Sequence, residues 1–518
     1  MTITNESVDM TSSMDMEPGK RAPNPVLGFL FIGSLLLFGG AFAWLSSGQA
    51  LPLIQLPLVL ISFALAAVTG FLYFLNPARA LTFVLLGMLY FSFEFTARAS
   101  EEGNGGGTQT MVKGMLALSF AIFALFTSPR YTFRSGLTAL FIVYALFAVS
   151  TSFYSPMPIF GLVAGLALVG LTLVAARLSQ GQEEDLLALW NAIFLASCLT
   201  CILSLVLMAV SPMQARDLSD VRYRLRGVTG TANALGPLMA VGFIAALLKY
   251  RTSAGKWPRF FTGVMAVSFL ITLGLTYSRT AIVGLGAGLI GAALVSGVIG
   301  TLGFMFVLLA LAIGGAALLN PDINDLILQT LANLFAKTGE VAELTSLTGR
   351  GVIWEACWKL FTDRPTFGYG LGSVRVVLPM AYSDQWGNSY GTAHNFLLES
   401  LISVGWVGTL PLVAVLLWGL VKLLTYFRRL HRIRKAKLLT TTEEQATAVE
   451  QLLALCALRG LLTLIVLGIS EKSFAGQPGS TTMALGAILA TTVYVLNARK
   501  KREALVLTQS TRAASSPL

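Results

Sequence analysis

From Pro25 to Leu496 the chain repeats one pattern, apolar runs of roughly 17–25 residues separated by short polar gaps. A helix of that length crosses a hydrocarbon core of about 30 Å. Transmembrane strands would instead alternate apolar and polar residues in segments of about ten, and no such alternation is visible. The runs predict spans near 26–46, 51–75, 80–96, 111–127, 137–153, 157–177, 187–210, 233–250, 259–277, 280–298, 301–319, 394–421, 451–470 and 481–497. The expected fold is therefore an all-α polytopic membrane protein of about 12–14 transmembrane helices, with a helical periplasmic cap between two late spans.

Composition supports this reading: 55% of the 518 residues are hydrophobic and 12% charged, and mean hydropathy is +0.74. The first 24 residues are polar, precede any apolar run, and read as a disordered cytoplasmic tail rather than a cleavable signal. Cys198 and Cys201 form a C-x-x-C inside an apolar run, where packing is the expected role, not redox or zinc chemistry. The net charge of +11 needs no nucleic acid partner, because basic loops beside anionic lipid headgroups account for it.

Alternation from a cytoplasmic N-terminus places Arg79, Arg130, Arg134, Arg177, Arg251, Lys256, Arg259, the cluster Lys422–Lys437 and Arg499–Arg502 inside, with both termini. The acidic, glycine-rich stretch Glu101–Gly107 falls outside. Against the same rule, Arg222, Arg224, Arg226, Arg279 and Arg350 also fall outside, and such exceptions call for a functional reason. The chain thus divides into the tail 1–24, N-terminal spans 25–215, a region 216–421 that gathers the outer arginines and includes an outer loop 320–393, a basic cytoplasmic loop 422–450, C-terminal spans 451–498 and a cytoplasmic tail 499–518. Within the outer loop, Val352–Trp358 reads as a helix that Thr348 caps and Asp363-Arg364-Pro365 ends, followed by a tight, mobile turn at Phe367–Gly372. Gly161-x-x-x-Gly165 and Gly284-x-x-x-Gly288 are expected to let helices pack closely.

Four short segments collect the unusual polar groups: Arg222–Asn233, Tyr277–Thr280, Thr348–Arg350 and Ala393–Asn395. Guanidinium groups are planar, permanently charged forks of donors, so several converging arginines suit a diphosphate. His394 is the one histidine on the outer side under this topology, and an imidazole suits general-base work near neutrality. Each residue also has a structural reading. Arg226 can contact phospholipid headgroups, Arg279 can snorkel, Arg350 can pair with Glu355 or another carboxylate, and His394 can cap a helix. His431, in the basic loop, reads as a solvated surface group. Trp354, Trp358, Tyr369, Tyr382, Trp386 and Tyr390 can stack on sugar rings or form an interfacial belt. Glu399 and Asp384 are the alternative bases, and Arg459 lies just inside a span.

His394-Asn395, nine residues, then Gly405-x-x-Gly408 resembles the signature of the bacterial O-antigen ligase and polysaccharide polymerase superfamily. Arg226-Gly with Asn233, Ser278-Arg279, Thr348-Gly349-Arg350-x-x-x-Trp354 and Pro365-x-x-Gly368-x-Gly370 follow that family's order over about residues 220–415. The resemblance implies an inner-membrane, metal-independent glycosyltransferase without a cofactor, its active site facing the periplasm and its donor an undecaprenyl-diphosphate-linked oligosaccharide. In it, Arg226, Arg279 and Arg350 hold the diphosphate and His394 activates the acceptor hydroxyl. Arg222, Arg224, Asn233, Asn395, Glu399 and Trp354 are supporting residues. About fourteen spans and a long basic loop fit a polymerase of O-antigen or exopolysaccharide, working with a flippase and a chain-length regulator. The alternative is a ligase that transfers the glycan to a lipid A-core or another surface acceptor. A flippase or transporter of lipid-linked sugars would place paired charges and broken helices at mid-membrane, with an internal inverted repeat, and neither is seen in the sequence.

Overall fold

The computed structural model describes residues 135–217, 223–229, 231–296, 325, 329, 350–382, 391–435, 441–471, 475 and 479–515. The tail 1–24, the spans expected at 26–127 and 301–319, and Arg222, Thr348, Asp384, Trp386 and Tyr390 lie outside them. The side chains of 432–446 and 499–515 are likewise not described.

Among the described residues the chain is all helical, with no strand. The helices are α1 Gly136–Thr151, α2 Pro158–Leu178, α3 Glu183–Val210, α4 Ala232–Thr252, α5 Lys256–Leu275 and α6 Arg279–Ser296. Then follow α7 Arg350–Asp363, α8 Val374–Ala381, α9 Phe396–Lys435, α10 Thr441–Ser470 and α11 Ser480–Ser515. Nine of these segments are long and apolar enough to cross a membrane among the described residues, and they coincide with nine of the expected spans. Backbone hydrogen bonding explains why: without water in the lipid core, each crossing segment must satisfy its own N–H and C=O groups.

Lipid supplies no hydrophobic drive between helices, so close approach and interhelical hydrogen bonds set their packing. Helices α4 and α11 are central, each with 72% of its apolar window buried, whereas α5 and α6 bury only 28% and face outward. Trp190 of α3 is fully enclosed and donates its Nε1–H to Thr491 Oγ1 of α11 at 3.0 Å. Along the α6–α10 seam, a Cβ on Gly288 would lie 2.5 Å from the Arg459 carbonyl oxygen, and one on Gly284 3.0 Å from that of Thr463. The second G-x-x-x-G is therefore a packing motif, as is the first, where Gly165 abuts Val149 of α1.

Three expectations change. Much of the segment expected as a basic loop over 422–450 is helical among the described residues: α9 continues to Lys435 and α10 begins at Thr441, because Lys, Arg and Leu all favour helix once the chain leaves lipid. The span expected at 394–421 is broken at Gly405, which stands at φ +64° and ψ −175°, so Phe396–Val404 is a separate short helix. The turn at 367–372, expected to be tight and mobile, is tight but anchored to that break. Tyr369 N–H donates to Ile402 O at 2.8 Å, Gly370 N–H to Ser403 O at 2.8 Å, and Trp406 N–H to Pro365 O at 2.8 Å. The carbonyls and N–H groups that a continuous helix would pair with each other pair here with the turn. Glycine is required on both sides, since a Cβ on Gly405 would meet Thr366 O at 2.2 Å and one on Gly368 would meet Ile402 O at 2.5 Å.

Candidate functional site

Helices α4, α6 and α9 begin, and α3, α5 and α10 end, at the same end of the bundle, and the described residues of the four polar segments gather there. The segment after α3 folds back over the α5–α6 corner. Its Leu225 N–H donates to Leu275 O at 2.9 Å, and Arg224 donates through Nε to Thr276 O at 2.8 Å and through Nη2 to Asn233 Oδ1 at 2.6 Å. Gly227 follows at φ +55°, where a Cβ would strike Ser204 Oγ at 2.2 Å, so the chain can turn tightly against α3 only with glycine. Arg226 is held by one bond, Nε to Gln214 O at 3.0 Å, and its two terminal nitrogens have no hydrogen-bond partner among the described residues.

At the corner itself Tyr277 adopts φ +46°, and Arg279 opens α6. The next residue, Thr280, shares a 2.6 Å hydrogen bond with Ser470 Oγ at the last turn of α10. That turn is the hub of the site. Its final carbonyls have no partner within the helix and carry the negative end of the helix dipole, so they attract donors and cations. Asn395 Nδ2 donates to Ile469 O at 2.9 Å, and Arg350 Nη1 donates to Ser470 O. Glu471, the next residue, accepts Arg350 Nη2 on Oε1 at 3.0 Å and lies 3.3 Å from His394 Nδ1 through Oε2.

His394 is held from below as well as from the side. It stands at φ +47°, a left-handed backbone that a non-glycine residue keeps only when its surroundings impose it. On one side Asn395 caps α9, its Oδ1 accepting Leu397 N–H at 2.9 Å and Leu398 N–H at 3.0 Å. On the other, Ala393 is fixed at both ends of its peptide units. Its N–H donates to Glu399 Oε2 at 2.9 Å, and its carbonyl accepts Trp354 Nε1–H at 3.1 Å. The His394 side chain keeps 29% of its exposure, and Nε2 has no hydrogen-bond partner among the described residues. Glu399 keeps only 5% and faces the backbone, so of these two candidate bases His394 is the one open to a substrate.

Residue by residue, the structure joins Arg350, His394, Asn395, Trp354 and Glu399 in one bonded unit, and ties Arg224 and Asn233 to the neighbouring corner. Arg350 takes a carboxylate partner, but it is Glu471 rather than Glu355. Trp358 is exposed at the cap surface with its ring 5.2 Å from that of Phe361. Cys357 beneath it is buried, and burial together with the negative charge of Glu399 pushes its thiol up to about 12, leaving it inert. Cys198 and Cys201 are buried free thiols in the α3 core, Cys201 Sγ 3.2 Å from Thr272 Oγ1. No group of three or more metal-ligating side chains occurs among the described residues. The reading of the sequence missed Glu471. Its only local signal is a carboxylate placed directly after an apolar run, on the side where the alternation puts the arginines.

Fold and site together define a multi-pass α-helical membrane protein with an arginine-rich polar centre at one end of its bundle. Residues 264–413 match the family model of O-antigen ligase, a stretch that contains Arg279, Arg350, His394 and Asn395 but ends before Glu471. Over that stretch the chain is similar to the O-antigen ligase family. No curated protein matches the chain.

Proposed function

We propose that this protein transfers a glycan from an undecaprenyl-diphosphate carrier to an acceptor hydroxyl at the periplasmic face of the inner membrane, polymerising repeat units of a surface polysaccharide. The observation that carries the reading is the hydrogen-bonded convergence of Arg350, His394 and the α5–α6 corner on the end of α10. It sets an accessible imidazole beside the Arg350–Glu471 pair and next to the corner from which Arg279 opens α6, and guanidinium charges suit a diphosphate. The opposite end of the bundle, with Arg177, Lys249, Arg251, Lys256, Arg259, Arg428 and Arg429, supports the assignment of the site to the outer face.

In this reading His394 Nε2 takes the proton of the acceptor hydroxyl as its oxygen bonds to the anomeric carbon. The bond from that carbon to the phosphate oxygen breaks, and its electron pair leaves on the lipid diphosphate. Arg226 and Arg279 stabilise the departing charge, and the anomeric configuration inverts in this single displacement. Arg226 is assigned to the diphosphate because its terminal nitrogens have no hydrogen-bond partner among the described residues. Arg350, already engaged by Ser470 and Glu471, holds the centre together and adds its charge.

The description of the matched family favours a second reading, ligation of finished glycan to lipid A-core or another surface acceptor. One assay separates the two: purified protein in proteoliposomes with an undecaprenyl-diphosphate-linked repeat unit as the only glycan. A ladder of longer lipid-linked chains establishes polymerisation, and single transfer that waits for an added acceptor establishes ligation. No reaction in either case overturns the glycosyl-transfer reading. Chelators leave the rate unchanged, because arginines supply the stabilising charge.

A further inference from the structure

Glu471 lies outside the stretch matched by the family and outside the four polar segments, yet it touches two of them at once. Each carboxylate oxygen has its own partner, Oε1 with Arg350 at 3.0 Å and Oε2 with His394 Nδ1 at 3.3 Å, and the side chain keeps only 13% of its exposure. An ionised carboxylate only accepts, so the ring nitrogen facing it must carry the proton. A neutral imidazole has one N–H, and placing it on Nδ1 leaves the lone pair on Nε2, the nitrogen without a partner among the described residues.

We propose that Glu471 is a positioning residue that selects the Nδ1–H tautomer of His394, aims Nε2 at the acceptor, and stabilises the imidazolium formed when Nε2 takes the acceptor proton. Arg350 sets the carboxylate in turn, by holding its other oxygen and the Ser470 carbonyl. No proton passes to Glu471; it keeps its charge through the step while the acceptor oxygen bonds to the anomeric carbon and the diphosphate departs. The kinetic consequence rests on the glycosyl-transfer reading above, whereas the tautomer does not.

The substitution that separates orientation from packing is Glu471→Gln. Its single amide oxygen is drawn to the Arg350 donor, so the amide NH2 faces Nδ1 and forces the ring proton to Nε2, the wrong tautomer at unchanged shape. The chain has only two histidines, so ring-15N-histidine labelling of the full-length protein in detergent, with His431→Ala for assignment, resolves the state of His394 directly. Expected are Nδ1–H in the parent chain, Nε2–H in Glu471→Gln, and return of Nδ1–H in Glu471→Asp. In the proteoliposome assay Glu471→Gln lowers kcat by about a hundredfold or more, with KM for the lipid donor within about threefold, and Glu471→Asp restores part of kcat. Nε2–H in the parent chain, or Nδ1–H retained in Glu471→Gln, overturns the proposal, as does a Glu471→Gln kcat equal to that of the parent. A rise in KM with kcat unchanged also overturns it, since Glu471 would then act only through donor binding. If the parent chain transfers no glycan, the glycosyl-transfer reading fails and the tautomer measurement still decides the role of Glu471.

Discussion

His394 is held in a left-handed backbone between two anchored neighbours, with one ring nitrogen tied to a carboxylate and the other open. Its neighbours, rather than its own burial, hold it in place, since its side chain keeps 29% of its exposure. His394→Ala is therefore expected to abolish transfer, about a thousandfold or more in kcat, while the protein reaches the membrane in normal amount. Arg279→Ala, which removes a charge from the corner beside the α10 terminus, is expected to act in the same direction. His431→Ala, at an exposed position near the far end of α9, leaves activity unchanged. Surface-glycan immunoblots with quantified membrane protein check all three. Full activity in His394→Ala would remove the general base from the mechanism, and Glu399, buried against Ala393 N–H, is no ready replacement.

At the scale of the element, the device that presents His394 is the broken start of α9. An unbroken helix would continue from Phe396 and bury its backbone groups in its own ladder. Gly405 instead releases Ile402 and Ser403 carbonyls and the Trp406 N–H, and the Pro365–Gly370 turn takes them up. The cap helix α7, which brings Arg350 and Trp354, is thereby joined to the membrane helix that Asn395 caps and His394 precedes. Gly405→Ala meets both a positive φ and the Thr366 carbonyl, a local cost of about 1–3 kcal/mol. Activity is expected to fall at least about tenfold while α9 still spans the membrane. The check pairs transfer rate with a thermal melt of the purified protein, and a variant with parental activity and melting temperature would show the clamp to be dispensable.

For the whole molecule, the helix termini sort polar chemistry to one end and basic residues to the other. The proposed orientation puts the α7 cap outside and the far end of α9 inside. Single cysteines at Trp358 and His431, both exposed positions, test it in a background where the four native cysteines are buried. A membrane-impermeant maleimide applied to cells with a permeabilised outer membrane is expected to label Trp358→Cys and to spare His431→Cys until the inner membrane is opened. The reverse pattern would place the site on the cytoplasmic face and remove the lipid-linked donor from the argument.

The sequence alone determined eight of the nine described spans to within a few residues, because apolar length and the demand for internal backbone hydrogen bonding are local properties that lipid makes decisive; the ninth, α9, runs about ten residues past the expected end. It also determined the cap helix over Arg350–Asp363 and the G-x-x-x-G seams, and it singled out Arg350 and His394. Only the tertiary structure decided what those residues touch. Glu471 stands 77 positions from His394 and 121 from Arg350, and no periodicity encodes a bond across that distance. Hydropathy likewise ran through Gly405, since a break made good by hydrogen bonds from another segment leaves the apolar run intact. Charges and spans are written in the order of residues, whereas a catalytic geometry arises where helix ends with unpaired carbonyls meet distant side chains that can satisfy them.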